Sequence, residues 1–276
     1  MLTTFAPHSF LFLNGIIWKI FLGDDPKMPM AIEIREEAGH RVTIALAELA
    51  TQRLLWQACL FEQSWNKQLC GFHQNTLLFQ DFSAESQLPV VEGLWAVEAS
   101  TAAVLWHRAA VQFNHFTDQY VEVKRTTETG WQLEQLDWTN GQAIDSKPPL
   151  PVAMPNAKIQ YPTHYPPESI FFSTFETFLS GINGFLKNKP VDYLEYAHFI
   201  LISYYVQSAE QIEKMEQHLL IVDKNTGQIL YKDVLAQNIT QLHRDNFLVA
   251  KPYLVWLKNK NEFFYANLDD YESMGK

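Results

Sequence analysis

Apolar and polar residues alternate with a period of two along most of this chain, in short runs separated by turn-forming residues. That is the signature of half-buried strands. Ala31–Arg35, Val42–Leu49, Val121–Lys124 and Trp131–Leu136 carry it. Phe199–Val206 is nearly all apolar and predicts a strand buried on both faces. The sharpest unit is Leu219–Tyr231: an apolar β-branched run, the turn Asp223-Lys-Asn-Thr-Gly227, and a returning apolar run. Gly227 falls where such a turn needs φ > 0.

The unit recurs. An aromatic stands eight residues after an acidic anchor in three places: Tyr231 after Asp223, Trp106 after Glu98 and Trp56 after Glu48. Asp137 precedes Gly141 by four, as Asp223 precedes Gly227, with Asp145 in the place of the aromatic. A fifth anchor, Asp269, ends the run Phe263–Leu268. The anchors are 50, 39, 86 and 46 residues apart. Four-stranded propeller blades recur at about 40–50 residues. The long gap is one blade with an insertion, giving five blades, or two blades, giving six.

The two ends complement each other. Ile16–Phe21, with Gly15 and Trp18, reads as a returning strand without a first half, after a loose lead-in over residues 1–13. Phe263–Leu268 reads as an outgoing strand without a return. Pairing the two would close the last blade and remove its exposed edge. The expectation is one all-β domain over residues 1–276, a β-propeller closed by an N-terminal strand.

Residues 147–187 interrupt the repeat. Lys147–Pro155 is Pro-rich and cannot pair as a central strand, because Pro lacks the donor. Tyr161–Pro167 continues it as irregular chain. From Glu168 to Lys187, Ile170, Phe171, Phe175, Phe178, Leu179, Ile182 and Leu186 recur at helical spacing. Pro167 is tolerated at such a start, while Gly181 and Gly184 weaken the end. The expectation is a Pro-rich linker and an inserted helix.

The turn units resemble the repeat of quinoprotein-like and WD40-like β-propellers, in which a strand leads into an acidic-x-x-Thr-Gly turn and an apolar-Trp strand. Asp223–Gly227 with Leu230-Tyr231 carries the likeness best, then Glu98–Ala102 with Leu105-Trp106, then Asp137–Gly141. As a whole the chain resembles an uncharacterised bacterial family of unknown function. Ile17-Trp18, Gly93-Leu-Trp, Ile202-Ser-Tyr-Tyr205 and Asp245-Asn-Phe247 carry that resemblance. It implies a fold and no activity.

Composition narrows the functions. With 47% hydrophobic residues over 276 positions, a large core is easily filled. The net charge of −10 argues against nucleic acid or an anionic membrane as partner. The N-terminus lacks a basic leader region, and no window reaches the 18 apolar residues of a membrane span. Cys59 and Cys70 are too few for a disulfide framework and read as free thiols in a reducing compartment. The expected location is cytoplasmic and the expected state monomeric.

Candidate chemistry is sparse. The acidic anchors Glu48, Glu98, Asp137, Asp223 and Asp269 read as turn-stabilising groups. Trp18, Trp56, Trp106 and Tyr231 read as packing between blades. No metal-binding spacing, phosphate loop or nucleophile elbow occurs, so no cofactor or metal is expected and no catalytic residue is assigned. Tyr161, His164 and Tyr165 in the insertion, with Tyr204 and Tyr205 from the buried strand, are the candidate binding residues. Two functions follow. One is a non-enzymatic binding or scaffold module for a protein or peptide. The other is a small-molecule-binding or hydrolytic enzyme with its site at the central opening. In the first, the helix covers or plugs the propeller.

Overall fold

A computed structural model describes residues 5–12, 14–22, 29–85, 89–128, 130–144, 159–182, 184–209, 211, 213–243 and 246–275. The Pro-rich stretch 147–155 and Asp245 lie outside them. The described chain is all-β, antiparallel throughout, with one α-helix. It divides into two compact units, one of residues 12–156 and one of residues 1–11 with 157–276.

The first strand, β1 (His8–Leu11), belongs to the second unit. The 12–156 unit contains three sheets. Strands β2 (Ile16–Phe21), β3 (Met30–Glu36), β4 (Arg41–Glu48) and β5 (Arg53–Ala58) form the first. Strands β6 (Lys67–His73), β7 (Thr76–Phe82), β8 (Val91–Glu98) and β9 (Val104–Ala109) form the second. Strands β10 (Val111–Phe116), β11 (Val121–Thr127) and β12 (Gly130–Leu136) form the third. Each strand pairs with the next, as alternating runs joined by tight turns dictate.

The inward residues of successive sheets pack face to face. Ile44, Leu46, Leu69, Leu77 and Phe79 join the first sheet to the second. Leu78, Leu94, Val111, Val121 and Val123 join the second to the third. Buried polar side chains bind the same sheets. Glu33 on β3 accepts the Leu69 N–H of β6 at 2.7 Å. Gln80 on β7 accepts the Phe113 N–H of β10 at 2.7 Å and donates to the Gly93 and Val111 carbonyls. Burial pushes the Glu33 carboxyl up, against the opposing Arg35 guanidinium 2.6 Å away.

The other unit contains two five-stranded sheets. After β13 (Ile159–Gln160), strands β14 (Thr163–Tyr165), β15 (Val191–Tyr196), β16 (Phe199–Gln207), β17 (Met215–Asp223) and β18 (Ile229–Ile239) form the fourth sheet. The fifth has the order β1, β21 (Glu262–Asn267), β20 (Tyr253–Lys258), β19 (Phe247–Ala250), β13. Phe199, Leu201, Leu219 and Ile221 meet Phe247, Leu254 and Trp256 between them. The helix α1 (Phe172–Leu179) buries Phe172, Phe175 and Leu179 on the opposite face of the fourth sheet, over Val191, Ile202, Tyr204 and Leu220.

Four of the five acidic anchors hold the turns expected of them; Asp269 instead lies in a 3-10 helix, Leu268–Gly275. Asp137 accepts from the Thr139 and Asn140 amides, and Asp223 from the Asn225 and Thr226 amides. Glu48 and Glu98 accept the Thr51 and Thr101 hydroxyls. The residue four after each anchor is left-handed: Gln52 at φ 58°, Ala102 at 61°, Gly141 at 64° and Gly227 at 71°. Two of the recurring aromatics also repeat one bond. The Trp56 indole donates 2.8 Å to the Ala99 carbonyl, and the Trp106 indole 2.8 Å to the Trp138 carbonyl. Each acceptor directly follows the anchor of the next sheet. Tyr231 packs 5.8 Å from Trp256 across the fourth and fifth sheets.

Several expectations are corrected. Ile16–Phe21 does not join the last strand; β2 pairs with β3 and opens the first sheet. The strand beside β21 is β1, within the stretch expected to be a loose lead-in. Its register sets Phe10 opposite Phe263, and the Phe10 and Tyr265 rings lie 5.6 Å apart. Trp18 is accordingly not a repeat aromatic. It stands half exposed beside Arg35, whose guanidinium lies 5.3 Å from its ring. The helix is shorter than Glu168–Lys187, because Pro166–Ser169 is taken up by a turn and Gly184 adopts φ 78°. After Asp137 the returning strand is a bridge alone, Leu136 to Ala143.

Candidate functional site

The insertion is built from two short strands and one helix. β13 pairs with β19, setting Ile159 opposite Ala250 and Gln160 opposite Val249. β14 pairs with β15, setting Thr163 opposite Tyr193, His164 opposite Asp192 and Tyr165 opposite Val191. Pro162 lies between the two strands and has no N–H to pair, so the ladder breaks where the chain changes sheet. Tyr161–Pro167 is therefore strand-forming in its centre, not irregular throughout.

Strand alternation then separates the five expected binding residues. His164 faces Asp192, with Nδ1 2.7 Å from the carboxylate Oδ1. Along that face the polar row continues. Asp192 is in register with Ser203, whose hydroxyl accepts from Gln217 Nε2 at 2.9 Å. Gln217 also accepts from Asn246. Tyr205 shares this face, donating 2.8 Å to the His243 carbonyl and accepting the His243 N–H at 3.0 Å.

Tyr165 and Tyr204 lie on the opposite face with α1. The Tyr165 ring is 4.9 Å from Phe175 and 6.1 Å from Phe171. Tyr204 is fully buried, 5.6 Å from the His218 ring, and burial pushes its hydroxyl up to about 12. Among the described residues its hydroxyl has no hydrogen-bond partner. Tyr161 is 60% exposed. The five residues thus divide between two faces and the surface, and do not line one pocket.

Asp192, Ser203, Gln217 and Asn246 escaped the sequence reading. The available signal was a polar residue inside a doubly buried run, as Ser203 stands within Phe199–Val206. Their arrangement limits the chemistry. A serine nucleophile needs its histidine between hydroxyl and carboxylate. Here the register sets Asp192 between His164 and Ser203, which is not the order of a triad. The His164 ring is oriented through Nδ1 by a buried carboxylate, which leaves Nε2 for a bound group.

The insertion also exposes large apolar residues. Ile170 is 85% exposed, Phe171 58% and Phe178 45%. The last two stand seven residues apart, on the flank of α1 next to the buried Phe175, while Ser173, Thr174 and Thr177 take the side turned away from the sheet.

The 12–156 unit has its own cleft, of about 440 Å³, lined by His40, Arg41, Cys59, Phe61, Glu62 and Ser64. Burial acts to raise the Cys59 thiol, but hydrogen bonds from Ser64 and Arg41 outweigh it and hold it below its ordinary value. Both cysteines are free. Among the described residues no group of acidic, histidine or cysteine side chains is placed to hold a metal. None of their helices is long and apolar enough to cross a membrane.

Residues 24–106 match the model of a family described as a domain of unknown function, DUF4905. No curated protein matches the chain. Among solved structures, a eukaryotic initiation factor is similar at 14% identity and TM-score 0.33, over 88% of this chain and 49% of that one. A europium-containing methanol dehydrogenase is similar at 10% identity and TM-score 0.27, over 90% and 49%. The β-propeller domain of the Trilobed protease from Pyrococcus furiosus is similar at 6% identity and TM-score 0.31, over 95% and 73%. The chain spans about half the length of the first two. The match over residues 24–106 accords with the expected resemblance to a family of unknown function.

Proposed function

We propose that the chain is a five-bladed β-propeller that serves as a binding module for a protein or peptide partner, docking at the start and exposed flank of α1. The observation that carries this is the cluster Ile170, Phe171 and Phe178, left exposed at the start of α1 and along its flank while Phe172, Phe175 and Leu179 are buried. Large apolar side chains clustered at a surface mark interaction sites more than scattered ones do. With a net charge of −10 on the chain, the partner is a basic segment bearing apolar anchors.

Five sheets, recurring anchor turns, repeated indole bonds and β1 completing the last sheet support the blade count and closure. In a propeller the first strand of each blade lines the central opening. β13 and β14 extend two sheets beyond such strands, β19 and β15, which argues for the surface over the centre as the working site. Free thiols support a reducing, cytoplasmic location, and a monomer is expected from gel filtration.

A peptide library displayed on phage and selected on the full chain tests the reading. Basic sequences with apolar anchors should emerge, and Phe171→Lys with Phe178→Lys should abolish their binding while the melting temperature holds. Ligands indifferent to both changes would sink it. The His164–Asp192 pair favours the second reading, an enzyme or small-molecule binder. Turnover of an ester, phosphoester or glycoside panel, lost in His164→Ala, would replace the module with that reading.

A further inference from the structure

We propose that the outer edge of β12 accepts an extended peptide strand from a partner protein, added to the third sheet as its fourth strand. In each of the other four sheets the strand in this position, β4, β8, β17 or β21, has a further strand beyond it: β5, β9, β18 or β1. In the third sheet, among the described residues, the place beyond β12 is taken only by the Leu136–Ala143 bridge.

The backbone there is set for pairing. The Ile144 N–H donates to the Gln135 carbonyl at 2.8 Å, and the Asp137 N–H to the Gln142 carbonyl at 2.9 Å. Residues 135 and 137 therefore turn their backbone groups outward, away from β11. Antiparallel alternation, unbroken along β12, gives Trp131 and Leu133 the same direction. Their N–H and C=O groups are a template for another strand. Their side chains stand on one face, 65% and 57% exposed, at the spacing that reads alternate residues of an added strand. Beyond Asp145 the sequence runs Ser-Lys-Pro-Pro-Leu-Pro. Pro148, Pro149 and Pro151 have no N–H to donate, so the chain's own continuation is a poor occupant for this edge.

The partner's chemistry follows from that face. Trp131 and Leu133 ask for apolar residues at alternate positions. Lys124 is the cross-strand neighbour of Leu133, while Glu134 on the other face is held by Arg108 and Arg125 at 2.8 Å each. The partner strand therefore carries an acidic residue among its apolar ones, the reverse of the charge expected at α1. The two surfaces make independent claims, because changes at Trp131 and Leu133 leave Phe171 and Phe178 untouched.

The test combines selection with hydrogen exchange on the full chain. Acidic, apolar-alternating 12-residue peptides should emerge from a displayed library, and one of them should slow exchange of the Trp131 and Leu133 amides at least tenfold. Leu133→Pro removes an outward N–H and should weaken binding at least tenfold. Leu133→Glu, which keeps the backbone intact and repels an acidic strand, should weaken it too if the proline variant fails to fold. Three results would overturn the proposal. The two amides are already protected in the monomer, so the chain covers its own edge. Protection rises with protein concentration, so a second copy is the occupant. No selected peptide protects them.

Discussion

Four equivalent turns sample the same left-handed position with different residues, and their energies can be compared. An L-residue costs roughly 1–2 kcal/mol in that region, while glycine adopts it freely. Ala102→Gly should therefore raise stability by about 0.5–1 kcal/mol, read as a higher urea midpoint at unchanged slope. Gly227→Ala meets nothing within 4 Å and should cost only the backbone term, about 1 kcal/mol. Gly141→Ala should cost more than Gly227→Ala, because its new Cβ would lie 2.6 Å from the buried Trp106 ring. Equal losses at the two glycines would refute that ranking.

A second residue-scale effect is pH. Burial first, against a 3.0 Å contact with Glu216, holds the His218 imidazole below its ordinary value. Lys232 adds to the lowering, and Asp233 opposes it. The unfolded chain therefore takes up the proton first as pH falls. Stability from His218 is complete above about pH 6.5 and is lost as pH drops toward the folded value, by up to about 1.4 kcal/mol per pH unit. Urea melts from pH 8 to 5 should show this loss. His218→Gln should flatten it; an unchanged slope would remove His218 as the cause.

At the scale of elements, the bonds between sheets matter more than the strands they join. Gln80→Leu would orphan the Phe113 N–H and two carbonyl contacts in a buried place, and should cost about 2–3 kcal/mol. Trp106→Phe keeps most of the ring and loses one indole bond, for about 1 kcal/mol. Thermal melts that rank these two the other way would undo the assignment of Gln80 as the stronger tie.

Elements were also where the sequence was easiest to read. Period-two alternation located most strands, because one buried face forces it. The anchor turns were legible for the same reason: Asp223 and Asp137 bond their own backbone, and local bonds leave local signatures. Glu33, Gln80 and Gln217 were not, because their partners Leu69, Phe113 and Asn246 are distant in sequence and a single polar residue in a strand does not announce its partner. The division of His164 and Tyr205 from Tyr165 and Tyr204 follows from strand parity. It became visible only once 163–165 proved to be a strand.

At the scale of the whole chain, β1 is the feature that sequence periodicity missed. Four residues are too few to show alternation, and the longer run at Ile16–Phe21 drew the pairing instead. Phe5 stacks 4.5 Å from Tyr271 and contacts Tyr231 at 5.0 Å, and the Tyr271 hydroxyl bonds both the N–H and the carbonyl of Ala6. Deleting residues 1–11 strips these contacts and bares the outer edge of β21. The shortened chain should melt several degrees lower and aggregate in proportion to its concentration. An unchanged melt would mean that the last sheet does not need its N-terminal strand.

That pairing also sets a timetable for synthesis. His8 leaves the ribosome well before its partner Tyr265, which follows roughly 250 residues later. At about 5–20 residues per second the delay is about 10–50 s. During it, every sheet except the fifth can form from neighbouring segments, while the newborn leading strand has no edge of its own to join. β1 must then wait to be retrieved by a strand made much later, and a nascent polypeptide stalled before β21 would present β1 to whatever else is in reach.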